Sequence, residues 1–179
     1  PSLDDFRADV VVAGGCVVAE HGALIVPLDD QPLDLTAVGH SVAVNLDRLT
    51  LRIPARGSSM RVIGVNPDTL VTEMRLLPPS VSCGEAVVDL SRDLLKVATI
   101  ERHRGTGNVG LGFVQGLGLK AGAIAGTVAH DCHNITVAGV SDAEMLAAVH
   151  ALKDLGGGLV AVRDGTLLAA VPLPIGGLM

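Results

Sequence analysis

The sequence predicts an α+β fold, a mainly antiparallel β-sheet with one or two helices packed on it. Three observations predict it. Short aliphatic and β-branched runs alternate with Gly, Pro and Asp turn signals. One segment carries apolar residues at helical spacing between a start and a stop signal. Most of the connections are too short to hold crossover helices, which leaves antiparallel pairing between neighbours.

Taken in order, residues 10–26, VVVAGGCVVAEHGALIV, form a hairpin meander broken at Gly14-Gly15 and His21-Gly22. Two prolines and three aspartates then crowd into 27–35, and a linker is expected over 29–50, separating a first segment, 1–28, from a domain over 51–179. Strands are expected over 60–65 and 70–77, the second stopped by Pro78-Pro79 because proline cannot donate to a ladder. Further strands are expected over 85–90 and 94–102. Ser141 followed by Glu144 is a capping box, Met145, Val149 and Leu152 share one helical face, and Gly156 supplies the stop. The closing stretch LVAVRDGTLLAAVPLP is a strand pair turning at Asp164-Gly165. No internal repeat or low-complexity segment is visible.

Composition narrows the function classes. Of 179 residues 49% are apolar, yet Phe6 and Phe113 are the only aromatics, so the core must be aliphatic and a base-stacking platform is not expected. The net charge of −6 is the wrong sign for a nucleic-acid partner, whose phosphates require a basic face. No apolar run reaches the roughly 18 residues of a membrane span, and without a charged n-region followed by an apolar h-region no secretory leader is expected; residence is expected to be cytoplasmic. Three widely spaced cysteines, Cys16, Cys83 and Cys132, make neither a disulfide framework nor a zinc ribbon.

Two stretches concentrate chemistry. In ERHRGTGNVGLG, Gly105, Gly107 and Gly110 spell the G-x-G-x-x-G of a dinucleotide loop. Such a loop must open a helix, but Gly112, Gly116, Gly118 and Gly122 follow, each costing a helix roughly 1 kcal/mol against alanine. The stretch therefore reads as a permissive glycine-rich loop, where backbone can turn sharply or approach another surface. Asp131, though spaced like a ribose-binding acid, adds little to that motif.

The second stretch, AHDCHN, lies between AIAGTV and ITVAGV as a strand-loop-strand tip carrying His130, Asp131, His133 and Asn134. Three chemistries are open to it: general acid–base work by a His–Asp pair, metal ligation by two His, or nucleophilic attack by Cys132. Strand alternation would send His130 and Cys132 to one face and Asp131 and His133 to the other, so ligation by both His would require a bend, and a structural zinc site wants a second ligand pair that the sequence lacks. The plain structural reading is a set of Asx-turns with imidazoles bonded to buried carbonyls. His103 joins the cluster if the two loops meet. Arg102 and Arg104, if on a strand, share the face opposite His103, a solvated edge being the alternative for them.

The stretch ERHRGTGNVGLGFVQGLGLKAGAIAGTVAHDCHNITVAGVSD, with LGGGLVAV and the terminal PLPIGGLM, closely resembles the C-terminal domain of adenine deaminase, of the amidohydrolase superfamily. The likeness runs over about 61–179. RHxGTGN, AHDxHN and LGGGLV occur in the family's order, and residues 9–26 resemble the closing strands of the small β-domain flanking the superfamily's barrel. The resemblance implies an enzyme that hydrolyses adenine to hypoxanthine and ammonia with a metal-bound hydroxide. Its divalent metal, manganese or iron, would be held by His and Asp of a (β/α)8 barrel of roughly 250 residues. The chain has neither that length to spare nor an H-x-H motif, so alone it is expected to be inactive and to bind no metal.

By the same resemblance His130, Asp131 and His133 would take supporting catalytic roles beside the barrel's site. Arg102, His103, Gly105, Thr106, Gly107, Asn108 and Asn134 would border the substrate. The expected partners are the enzyme's own barrel domain, adenine and further copies of the enzyme in a homo-oligomer. Cys132 stands where the family usually has serine, exchanging a good hydroxyl donor for a weak one.

Overall fold

The structure, a computed structural model, describes residues 8–27, 34, 36, 38–39 and 41–179. Phe6 and much of the first half of the expected linker lie outside the described residues. The chain divides into compact units at Pro1–Asp34 and Leu35–Met179.

In the first unit, β1 (Val10–Ala13), β2 (Cys16–Glu20) and β3 (Ala23–Leu24) form an antiparallel meander. Its turns fall at Gly14-Gly15 and His21-Gly22, all four with positive φ, which matches the twist of paired strands.

The second unit is built on a sheet of eight strands. These are β4 (Met60–Gly64), β5 (Glu73–Leu77), β8 (Leu94–Ile100), β9 (Val109–Gln115), β10 (Ala123–Gly126), β11 (Ile135–Gly139), β12 (Gly158–Arg163) and β13 (Thr166–Pro172), in the order β13-β12-β10-β11-β8-β9-β4-β5. A small hairpin, β6 (Ser80–Ser82) with β7 (Glu85–Val87), stands apart from that ladder. One helix, α1 (Asp142–Leu155), completes the α+β arrangement. All neighbours in the large sheet pair antiparallel except β4 and β9, which run parallel. The sheet is thus mixed: the chain between β4 and β9 makes β5 and β8 first and returns, so no crossover helix is needed. A second crossover is helical: β11 and β12 both run antiparallel to β10, and α1 spans the strand between them.

Helix α1 follows its sequence signals. The hydroxyl of Ser141 accepts from the Glu144 N–H at 3.2 Å, and Gly156 closes the C-terminus at φ 78°. Met145, Ala148, Val149 and Leu152 are buried against Ala98, Ile100, Ala123, Ile135, Val137 and Val160 of the sheet. Each large side chain so buried contributes on the order of 1.5–3 kcal/mol. The reciprocal half of the capping box is not made with the helix start: the Glu144 carboxylate accepts from Asp164 N at 2.7 Å and Gly165 N at 3.4 Å. It fastens the β12–β13 turn to the helix.

Three sequence expectations are corrected. The glycine stretch after 108 is not loop: residues 109–115 form β9, where Phe113 is buried with Val62, Ala86 and Leu94. Gly110 and Gly112 there lie opposite Thr99 and Val97. The expected linker does not extend to 50, because Val42 and Val44 are buried in the main core and hydrophobic burial places them with the sheet. The strand expected over 94–102 ends at Ile100, for a reason that belongs to the next section.

Candidate functional site

Register brings both polar stretches to one edge of the sheet. Ile100 pairs with Val109 and with Ile135, Gly126 pairs with Thr136 and Leu159, and Gly158 pairs with Pro172. The loops 101–108 and 127–134 and the C-terminal segment 173–179 therefore all leave the same end of the strands.

The first loop is organised by a residue that sequence reasoning passed over. The Glu101 carboxylate accepts from the main-chain N–H of His103 (2.5 Å), Arg104 (2.7 Å) and Thr106 (3.0 Å), and from the Thr106 hydroxyl (2.8 Å). These donors, the Thr106 N–H foremost, hold its pKa down from 4.5 to about 2. The inward-reaching carboxylate ends the strand by giving the backbone an alternative to the ladder. The two glycines of the loop then meet neighbouring atoms, main chain at one and side chain at the other. Gly105 has φ +62° with its Cβ position 2.8 Å from the Ala43 carbonyl, and Gly107 has φ +79° with its Cβ position 2.6 Å from Arg48 Cβ. They bring the loop against the segment 43–48, and the dinucleotide reading is set aside on structure as on sequence, since a strand follows instead of a helix.

The second loop is a tight turn closed by main chain: the Ala129 carbonyl accepts from Cys132 N at 3.1 Å and His133 N at 2.6 Å. His130, Asp131, Cys132 and His133 are exposed, and His133 sits at φ 50°, a left-handed conformation uncommon for a residue with a side chain. Thr127, fully buried, anchors the turn's base: its hydroxyl donates to Gly177 O (2.5 Å) and accepts from Gly158 N (2.8 Å).

Arg102 ties these parts together. It is 1% exposed, and its guanidinium donates through Nε to His133 O, through Nη1 to Ser41 O (2.7 Å) and Ser41 Oγ (2.9 Å), and through Nη2 to Gly176 O (2.9 Å). Burial lowers its pKa from the ordinary arginine value. Arg102 and Arg104 do not share a face, because residues 101–108 are not strand; Arg102 turns inward and Arg104 is exposed, so a solvated edge describes Arg104 and not Arg102.

The two loops meet. His103 Nε2 donates to the Cys132 carbonyl at 3.2 Å, which fixes its tautomer and joins His103 to the cluster. Thr106 and Asn108 of the first loop are exposed. Asn134, at the foot of the turn, has its carboxamide oxygen buried without a hydrogen-bond partner among the described residues. Such an acceptor in a native structure calls for a donor from elsewhere. Among the described residues no three His, Cys, Asp or Glu side chains group so as to hold a metal, where a metal site needs at least three protein ligands. Among the described residues no helix is long and apolar enough to cross a membrane.

Comparison with known proteins adds a family to this geometry. The profile of the adenine deaminase C-terminal domain matches residues 69–179. A protein named adenine deaminase from Desulfatibacillum aliphaticivorans is 47% identical over 180 residues, covering 100% of this chain and 31% of its own length. One from Oleidesulfovibrio alaskensis is 51% identical over 140 residues, 78% of this chain and 24% of its own. A third, from Methanothrix thermoacetophila, is 46% identical over 175 residues, 98% of this chain and 30% of its own. The chain thus spans about a third of the length of the curated relatives it matches.

Proposed function

The chain belongs to the adenine deaminase C-terminal domain family, and we propose that it serves hydrolytic deamination of adenine to hypoxanthine and ammonia by bordering an active site carried on the preceding part of the parent enzyme. The observation that carries this reading is the meeting of two polar loops at one sheet edge, through His103 and the Cys132 carbonyl. Everything that fixes those loops is spent inside the domain, on Arg102, Glu101 and Thr127. The imidazoles of His130 and His133 and the carboxylate of Asp131 are left exposed, the arrangement of groups offered to a neighbour by a rigid scaffold. His133 keeps a backbone conformation that glycine would hold with less strain, the pattern of a residue retained for its side chain.

In this reading a manganese or iron would be held by residues of the barrel, and when bound would supply an activated water there. His130, Asp131 and His133 take supporting roles: hydrogen-bonding the purine or its leaving ammonia and relaying a proton at the imidazole nitrogens. His103, Gly105, Thr106, Gly107, Asn108 and Asn134 border the substrate, with Arg102 acting beneath them as a positioning residue. The reading also carries a cytoplasmic enzyme, and a homo-oligomer. What supports self-association is β13, an outer strand whose seven residues, Thr166–Pro172, are all exposed and uncharged; gel filtration across a concentration series tests it.

The kinetic test uses the enzyme complete with its preceding region. His130→Ala or Asp131→Ala is expected to lower kcat/KM for adenine at least tenfold with the fold retained. Wild-type kinetics in a folded variant would remove these residues from any catalytic part.

A further inference from the structure

The sheet has two faces, and α1 covers only one. On the other, alternation sets Ile63, Val97, Val114, Ile124, Leu159 and Val171 together. Part of this face is covered by the chain itself, where Leu95, Val114 and Ala138 pack with Val65, Leu119 and Val140. Beyond that, Ile63 is 45%, Ile124 44%, Leu159 46% and Val171 53% exposed. They rim a groove of about 630 Å³ whose lining includes Gly126, Ala138, Ala161 and Ala169. Among the described residues no charged side chain lines it. An exposed aliphatic surface of this extent marks an interaction site.

Three features bear on what fills it. Small residues between larger ones call for a convex ridge, so two copies laid groove to groove would leave both hollow. About two thirds of the curated relatives' own length lies outside the part this chain matches, since it covers 31% of one and 30% of another; that chain is tethered and thus present at a high effective concentration. The groove is also continuous with the candidate site: Val128, one residue before the Ala129 turn, lines it. A body seated in the groove is a body placed beside His130 and Asp131.

We infer that this open sheet face is the surface on which the preceding part of the parent enzyme docks, through an aliphatic ridge, and that this docking sets the polar loops against the active site. The inference rests on the proposed function for the identity of that body, and its test separates the two.

Leu159→Cys and Val171→Cys report on the groove in a background with Cys16→Ser and Cys132→Ser, the exposed Cys83 of the β6–β7 turn being kept as an internal control. Two reporters guard against one of them disturbing the sheet. In the 179-residue chain both should react with a maleimide at rates comparable to Cys83. Joined to the preceding region of a relative, both should slow at least tenfold with Cys83 unchanged. Equal labelling in the two forms overturns the inference. So does slow labelling of both reporters in the chain alone that deepens with concentration, which would make a second copy the occupant; slowing at Val171→Cys alone is pairing along the β13 edge and leaves the groove open. Protected reporters beside a fully active Asp131→Ala enzyme would keep the docking face and remove the catalytic reading; free reporters beside an impaired one would do the reverse.

Discussion

Arg102 and His133 are joined across 31 positions of sequence by a hydrogen bond from the arginine Nε–H to the histidine main-chain carbonyl. The bond fixes the exposed turn from beneath, while the other guanidinium donors hold Ser41 and Gly176. An arginine that makes four hydrogen bonds, to main chain and one hydroxyl, from a buried position is a structural keystone, and its substitution is felt as stability first. Hydrogen bonds to a charged group contribute about 1.5–3 kcal/mol each. Arg102→Met leaves several buried acceptors unpaired, so a loss of about 3 kcal/mol or more is expected in urea unfolding. Arg102→Lys should recover only part of it, because an ammonium cannot reproduce the planar fork. A methionine variant within 0.5 kcal/mol of the parent, on the order of ordinary surface changes, would refute the keystone role.

Glu101 gives the loop a pH dependence of known sign. Its pKa is about 2 in the folded chain against an ordinary 4.5. The stabilisation from the ionised carboxylate is therefore complete above the ordinary value and is lost as pH falls towards the folded one. Wild type should exceed Glu101→Gln in stability at pH 7, and the gap should narrow between about pH 5 and pH 3. Guanidinium titrations of the two proteins across that range measure it; a gap that is constant or widens on acidification would assign the effect to something other than the carboxylate.

The glycines of the loop should differ from those that merely turn. Gly107 and Gly118 both have positive φ, but a Cβ at Gly107 would stand 2.6 Å from Arg48 Cβ while Gly118 has nothing within 4 Å. Alanine in a left-handed position costs roughly 1–2 kcal/mol. Gly118→Ala should show that cost alone and Gly107→Ala distinctly more. Equal losses would mean that the loop does not pack on segment 43–48 in solution.

At the other end of the domain, Glu144→Ala removes the acceptor for Asp164 N and Gly165 N. A cost of about 0.5–1.5 kcal/mol is expected, with faster amide exchange confined to the β12–β13 turn. Faster exchange at the first turn of α1 instead would restore Glu144 to the conventional capping role.

Local signals carried much of this structure. The helix was legible because Ser141, the Met145–Val149–Leu152 face and Gly156 agree with one another, and the β12–β13 hairpin because Asp164-Gly165 is a strong turn pair. The strand β9 was obscured by Gly110 and Gly112, although Val109, Leu111 and Phe113 alternate with them at period two; the glycines carry no propensity, and pairing with β8 decides the matter. The parallel contact of β4 with β9, the burial of Val42 and Val44 and the inward turn of Arg102 are long-range outcomes that no local pattern encodes. At the candidate site the two motifs were visible, as was their meeting through His103 as a condition. The part of Glu101 was missed, though a carboxylate heading a run of small and turn-forming residues, E-R-H-R-G-T-G-N, is the signal that points to it.

The central claim is that the 129–134 turn borders the adenine site, and the turn contains its own reporter. Cys132 is exposed beside Asp131, and Cys83 is exposed on the separate β6–β7 turn. In the parent enzyme, thiol modification at the two positions should be followed with and without saturating hypoxanthine, the product of the proposed reaction. The account predicts that the ligand slows Cys132 severalfold and leaves Cys83 unchanged. Equal rates at Cys132 with and without ligand, in an enzyme shown by its activity to bind it, would contradict the account.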